Sequence, residues 1–386
     1  MKKFLKTFLF VLALLIGLLY ISDYSYLLNA VSKIYFNGHT TAFLDDYKYF
    51  DNATLPPSEN PQAWPLAKQY NQWSVSESLE AYHKTTGTVA FMVIKNDSLL
   101  YENYYDGYGV ASKSNSFSMV KSIVSALLGK AIDEGHVKSL DQPVKDFFPE
   151  LKGSYADRVT LGDLSSMSSG MEWDESYYSP LSVTTASYFV SNLDELILDQ
   201  PIDIEPGKAF IYKSGATQLL GMALEKATGK KLSDYLYQSF WNPMGAESES
   251  AWQWDSEENK RVKAYCCLAS NARDFARFGK LYKDHGKWNG KQLLDSTFIA
   301  TSIRPRFEES PEYGYGWWLK NYRQHRVFMM RGHLGQYVIT FPDLNLMVVR
   351  LGHLKGKSID PDDPFTEDIY QYMDAALEMN QNATTS

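Results

Sequence analysis

The chain has 386 residues and a net charge of −8, with 44% hydrophobic and 22% charged residues. That balance excludes a disordered chain, a collagen-like fibre and a polytopic membrane protein. No long basic run appears, which argues against nucleic acid as a partner. The only cysteines, Cys266 and Cys267, are adjacent. Neighbouring cysteines bridge rarely, so the sequence predicts a fold without disulfides and no cysteine-rich metal site. The pair reads as two small buried residues.

At the start, Lys2, Lys3 and Lys6 precede an apolar run from Phe8 to Ile21, and Asp23 follows it. The run is longer than most signal h-regions and short for a full span. No small-residue cleavage site follows, so residues 1–21 are expected to be an uncleaved signal anchor, with a cleaved signal peptide as the alternative. The lysine bias puts the remainder outside the cytoplasm, in the periplasm or cell envelope, with the membrane as a partner. Residues 22–74 show no period and are punctuated by Asn37-Gly38, Pro56-Pro57, Pro61 and Pro65. They read as a tether and an irregular arm that packs on the main domain, residues 75–380.

Within that domain, Ser76 to His83 reads as a short helix. Val89–Ile94 and Leu99–Tyr105 read as a hairpin turning at Asn96-Asp97. Met119–Glu134 switches to helical period, with Gly135 as the stop. Thr160-Leu161-Gly162-Asp163 predicts a capping box. Further helices are expected over Ala216–Ala227 and Ser270–Tyr282. Gly314–Lys320, Val327–Met330, Gly335–Phe341 and Leu346–Leu351 read as strands. A short amphipathic helix carries Ile369, Met373, Ala376 and Leu377, and a frayed tail runs from Asn380. Strands at both ends around many helices predict an α+β fold. One antiparallel sheet takes strands from both ends, and a helical subregion, about residues 118–300, is inserted between them.

Four short motifs carry the chemistry. Ser118 and Lys121 are three residues apart at a helix start, so they share a face and the amine reaches the hydroxyl. A serine alcohol needs such a base, and a lysine serves once its pKa falls. Tyr212 lies in a loop before a helix, with Ser214 two residues on, and is placed to relay a proton. His333-Leu334-Gly335-Gln336 opens a strand, where the Gln336 and Ser118 backbone amides can form an oxyanion hole. Ser168 to Trp173 ends a capped helix. The sequence contains no Gly-x-Ser-x-Gly elbow, zinc-protease helix or phosphate loop.

Taken in order, Ser118-x-x-Lys121, Ser169-Gly170, Pro206-Gly207, Tyr212-x-Ser214 and His333-x-Gly335 resemble the penicillin-recognising serine hydrolases. So does the segment from Ser270 to Gly279. The likeness covers about residues 76–355. It points to the class C β-lactamase-like branch and implies a β-lactamase/transpeptidase-like fold. His333 stands where β-lactamases carry the lysine of Lys-Thr-Gly. In this respect the chain is similar to nylon-oligomer (6-aminohexanoate-dimer) hydrolases and related esterases. The resemblance implies a serine hydrolase that cleaves a small-molecule amide or ester through an acyl-enzyme on Ser118. Lys121 and Tyr212 are then general base and acid, with no metal or organic cofactor. Ser214, His333, Gly335, Trp173, Tyr177 and Tyr178 are the expected substrate contacts. The alternatives are a cell-wall D-amino-acid peptidase, a weak β-lactamase and a non-catalytic penicillin-binding-like envelope protein.

Overall fold

Asn96 and Asp97 adopt left-handed backbone, with φ of 48° and 59°. A two-residue turn between antiparallel strands requires that conformation. The computed structural model, which describes residues 1–385, builds outward from this hairpin. Helices α1 (Lys2–Ile21) and α2 (Tyr26–Lys33), strand β1 (Asn52–Leu55) and helix α3 (Glu77–Thr85) precede the hairpin strands β2 (Thr88–Lys95) and β3 (Ser98–Tyr104). Strand β4 (Ser114–Asn115) and helices α4 (Val120–Asp133), α5 (Leu161–Ser165), α6 (Val183–Phe189), α7 (Leu193–Leu198), α8 (Ser214–Thr228) and α9 (Leu232–Leu236) follow. Next come β5 (Ser250–Gln253), β6 (Leu268–Ser270), α10 (Ala272–Lys283), the small hairpin β7 (Lys287–Trp288) and β8 (Lys291–Gln292), and α11 (Ser296–Ser302). The chain closes with β9 (Trp318–Tyr322), β10 (His325–Gly332), β11 (Gln336–Phe341), β12 (Leu346–Gly352) and α12 (Glu367–Thr385).

The main sheet has six antiparallel strands in the order β3-β2-β12-β11-β10-β9. Strands from both ends of the chain therefore share it, and the α+β expectation holds. Its faces are both covered, which explains why β2 is a continuous apolar run rather than an alternating one. Phe91 and Val93 point to α3 and α12, packing with Leu79, Ile369, Tyr372 and Met373. Ala90, Met92 and Ile94 point to the other face, against a core that contains Ile123, Val124, Phe275 and Phe278. Helix α4 lies in that core with most of its residues buried. Each fully buried side chain of this kind contributes about 1.5–3 kcal/mol.

Several expectations need correction. A second, four-stranded sheet, β1-β5-β6-β4, is present, and two of its strands, β5 and β6, lie within the expected helical subregion. Its members are short and pair across long sequence separations, so no local period announces them. The tail after Asn380 continues α12 to Thr385 because Leu377 and Met379 remain buried and hold the helix end. Cys266 and Cys267 are joined by a disulfide. Cys267 sits in left-handed backbone, φ 73°. The Cys266 carbonyl accepts from Trp252 Nε1 at 3.0 Å, and the Cys267 carbonyl accepts from the Gln253 amide at 3.1 Å. The fold thus fixes the turn that brings the two thiols together.

Residues ahead of the hairpin are built into the body. Leu44, Leu55 and Trp64 join the main core. Asp46 is fully buried and accepts from Tyr188 Oη at 2.7 Å, Gln253 Nε2 at 2.8 Å and Asn115 Nδ2 at 2.9 Å. The buried Lys263 amine faces the same cluster, donating to the Tyr188 carbonyl at 2.7 Å and Gln253 Oε1 at 3.1 Å. Burial lowers Lys263 to about 7, opposed by the Asp46 charge.

Candidate active site

Asn115 links that buried cluster to the site. Its Oδ1 accepts from the Phe117 amide at 2.8 Å, and the Ser116 amide donates to the Leu268 carbonyl at 2.8 Å. These bonds hold Phe117 at φ 44°, in the left-handed region. Such a conformation costs on the order of 1–3 kcal/mol and persists only where the surroundings fix it. The next residue, Ser118, lies on a single 3-10 turn, Phe117–Met119, leading into α4. Its side chain faces a cavity while its neighbours are buried.

Lys121 Nζ is 2.9 Å from Ser118 Oγ. It also donates to Ser214 Oγ at 3.1 Å and to the Tyr265 carbonyl at 2.8 Å. Burial pushes the Lys121 amine down to about 8, and the nearby Glu175 charge limits the fall. The Tyr212 ring lies 5.1 Å from Lys121 Nζ. Burial first, and Glu175 second, raise the Tyr212 phenol well above its ordinary value. Tyr212 is therefore a protonated phenol at neutral pH.

Glu175 is the residue that the sequence reading missed. Its Oε2 accepts from the Ser214 amide at 2.7 Å and its Oε1 from the Ser214 hydroxyl at 2.5 Å. Its Oε1 also accepts from Tyr177 Oη at 2.6 Å. No fixed spacing marks it; only its place between Trp173 and Tyr177 offered a hint.

On the sheet side, β10 ends at Gly332, where an added Cβ would lie 2.2 Å from the Ser116 carbonyl. Only glycine lets the strand approach the Ser118 turn this closely. His333 follows and packs edge-on to Phe117, with ring centroids 5.5 Å apart, and stacks on Tyr177 at 5.4 Å. Burial, with help from Lys355, lowers His333 to about 4, so the ring is neutral at pH 7. Tyr178 approaches the same ring at 6.3 Å.

The structure brings Ser118, Lys121, Tyr212, Ser214, His333, Tyr177 and Tyr178 together. Gln336 and Gly335 stand beside them in the fold. The Gln336 side chain is committed to Gly352, accepting from its amide at 3.0 Å and donating to its carbonyl at 2.6 Å. Gly335 has φ 86° and is crowded by the Arg350 guanidinium, so its need for glycine comes from the core. Trp173 does not face the cavity. It is buried in the main core, and its Nε1 donates to Thr184 Oγ1 at 2.8 Å. Its apolar ring packs against Gly215, where an added Cβ would clash.

A Ser-x-x-Lys helix start meeting a Tyr-x-Ser loop and a His-x-Gly strand end is the arrangement of the penicillin-recognising serine hydrolases. The beta-lactamase family model matches residues 75–370, and the chain belongs to that family. The 6-aminohexanoate-dimer hydrolase of Paenarthrobacter ureafaciens is 24% identical over 296 residues, covering 71% of this chain and 74% of that one. A Bacillus anthracis structure provisionally described as a 6-aminohexanoate-dimer hydrolase superposes with a TM-score of 0.71 at 20% identity, covering 89% and 94% of the two chains. A family VIII carboxylesterase superposes with a TM-score of 0.61 at 17% identity, covering 82% and 99%. The protein is a beta-lactamase-fold hydrolase related to the 6-aminohexanoate-dimer hydrolase.

Proposed function

We propose that the protein hydrolyses an ester or linear amide through an acyl-enzyme on Ser118. The Lys121 contacts carry this reading. Ser214 gives its hydroxyl proton to the Glu175 carboxylate, so towards Lys121 it can only accept. The Tyr265 carbonyl can only accept as well. A neutral amine has two N–H donors and one lone pair. Both donors are thereby taken, and the lone pair is left facing the Ser118 hydroxyl.

Lys121 then removes the Ser118 proton as Oγ forms a bond to the carbonyl carbon. The Ser118 and Gln336 backbone amides receive the oxyanion. Tyr212, still a phenol, passes a proton to the departing alcohol or amine and regains one from the Lys121 ammonium, which returns to the free amine. Water attacks the acyl-enzyme by the same route and regenerates Ser118. Helix α1, apolar from Phe8 to Ile21 and with no buried residue, anchors this machinery in the membrane. The lysines of its first turns, Lys2, Lys3 and Lys6, leave the catalytic part outside the cytoplasm.

The neutral His333, in the place of a lysine, supports esters and linear amides over β-lactams and D-alanyl peptides, whose carboxylate such a lysine would hold. The test is a panel of a nitrophenyl ester, a linear anilide, nitrocefin and a D-Ala-D-Ala peptide. Ester and anilide turnover is expected, with nitrocefin and the peptide at least about 100-fold slower in kcat/KM, which corresponds to nearly 3 kcal/mol. Preferential turnover of nitrocefin or the peptide would overturn this reading.

Two further outcomes follow from the site. Tyr212→Phe keeps the ring but loses the proton relay. It should lower kcat by about 10²–10⁴-fold with an unchanged thermal midpoint. The free amine is the active form of Lys121, so kcat/KM should fall tenfold per pH unit below about 8 and level off above it. Glu175→Gln removes the charge that favours the ammonium. The limb should therefore move to lower pH, as a pH–rate profile will read.

A further inference from the structure

The cavity at Ser118 extends well beyond the reacting atoms. It has a volume of about 570 Å³, within the range of roughly 300–1,000 Å³ that encloses most of a small ligand. Leu27, Leu28, Val31 and Ile34, from α2 and the residue after it, form one wall, and Pro180 and Phe189 face them. The Tyr26 hydroxyl donates to the Pro180 carbonyl at 2.8 Å, and Asn29 Nδ2 donates to the Phe189 carbonyl at 3.0 Å. Those two bonds fix α2 over the cleft as a wall. Among the described residues, no Asp, Glu, Lys or Arg lines the cavity. The walls thus offer no counter-charge to the ends of a zwitterionic oligomer, and the charges at the floor, Lys121 and Glu175, are bonded to Ser118 and Ser214.

The mouth carries a second, independent sign. Leu19, in the last turn of α1, belongs to the lining. The cavity wall therefore reaches the end of the one helix, among the described residues, that is long and apolar enough to cross a membrane. Tyr35 and Tyr178 rim it and are 57% and 72% exposed. Tyrosines with one wet and one apolar end are favoured at a bilayer interface.

We infer that the substrate is a membrane-borne amphiphile whose hydrocarbon acyl chain fills this cavity while its ester or amide carbonyl meets Ser118. The inference rests on the acyl-transfer reading given above and names its substrate class. Ser118 Oγ bonds to the acyl carbon, and the bond from that carbon to the alcohol or amine breaks. The Ser118 proton leaves with that group, and water then releases a free carboxylic acid.

The test uses the full chain in detergent micelles with nitrophenyl acetate, butanoate, octanoate and dodecanoate. With kcat/KM referred to the ester free in water, each methylene should raise it about 3–4-fold until the cavity is full. Octanoate should exceed acetate by at least about 100-fold. Leu28→Gln and, at a more exposed place on the same wall, Val31→Asn should each shrink the octanoate-to-acetate ratio by at least about 5-fold. Full chain reconstituted in phosphatidylcholine vesicles should also cleave dodecanoate held in those vesicles. A flat or falling series, with Ser118 still labelled by a fluorophosphonate, would overturn the acyl-chain inference and leave the acyl-transfer reading intact. Cleavage of micellar but not vesicle-held dodecanoate would overturn delivery from the bilayer. Failure of every ester together with an unlabelled Ser118 would instead overturn the underlying reading.

Discussion

Ser118→Ala should reduce kcat on a nitrophenyl ester by about 10³–10⁶-fold, the range expected for loss of a catalytic nucleophile. The change removes one oxygen at a site that opens on the cavity, so no core packing is lost. The φ of 44° at Phe117 is held by Asn115 rather than by the Ser118 side chain. The turn should therefore survive, with an unaltered near-ultraviolet circular dichroism spectrum. Substrate should still bind, since the cavity walls are untouched. A loss confined to kcat would place the oxygen in the chemistry, whereas a loss confined to KM would make it a binding contact.

Lys121→Arg should be nearly as damaging, about 10³-fold or more in kcat. It keeps the positive charge but cannot release a proton at any working pH, because guanidinium stays protonated. Lys121→Met separates the two contributions, since it removes the charge and keeps much of the volume. If lysine acts only through its field on the oxyanion, Arg should retain most of the activity and Met should lose it. If lysine is the base, both lose it. The buried amine, held by Ser214 and the Tyr265 carbonyl with its pKa brought down to about 8, supports the second outcome. The pH limb near 8 should vanish in both variants.

The sequence made the main sheet legible because its strands are long and apolar and fall in two local runs, β2–β3 and β9–β12. The Asn96-Asp97 turn and the capping box of Thr160 with Asp163 were legible for local reasons, and both are present. Ser118, Lys121, Tyr212 and His333 were found through ordered motifs, each a fixed spacing on a helix start, loop or strand end. Glu175 escaped because a loop carboxylate that bonds the amide and hydroxyl of Ser214 has no required spacing. Trp173 was assigned to the cleft through the family resemblance, yet Gly215 makes room for its ring in the core. The wall supplied by α2 escaped for a third reason. At eight residues it is too short to announce a helical period, and its partners, Pro180 and Phe189, lie 154 and 160 residues from Tyr26 and Asn29, so only the folded chain brings them together. The Cys266–Cys267 disulfide depends on a left-handed Cys267, which no residue type at that place announces.

The central claim is a covalent acyl group on Ser118, and intact mass spectrometry of the acid-quenched enzyme during turnover of a slow ester tests it most directly. The expected result is a mass gain equal to the acyl group, mapping to the peptide that contains Ser118 and absent from Ser118→Ala. Turnover with no adduct, or with an adduct on another residue, would contradict the account.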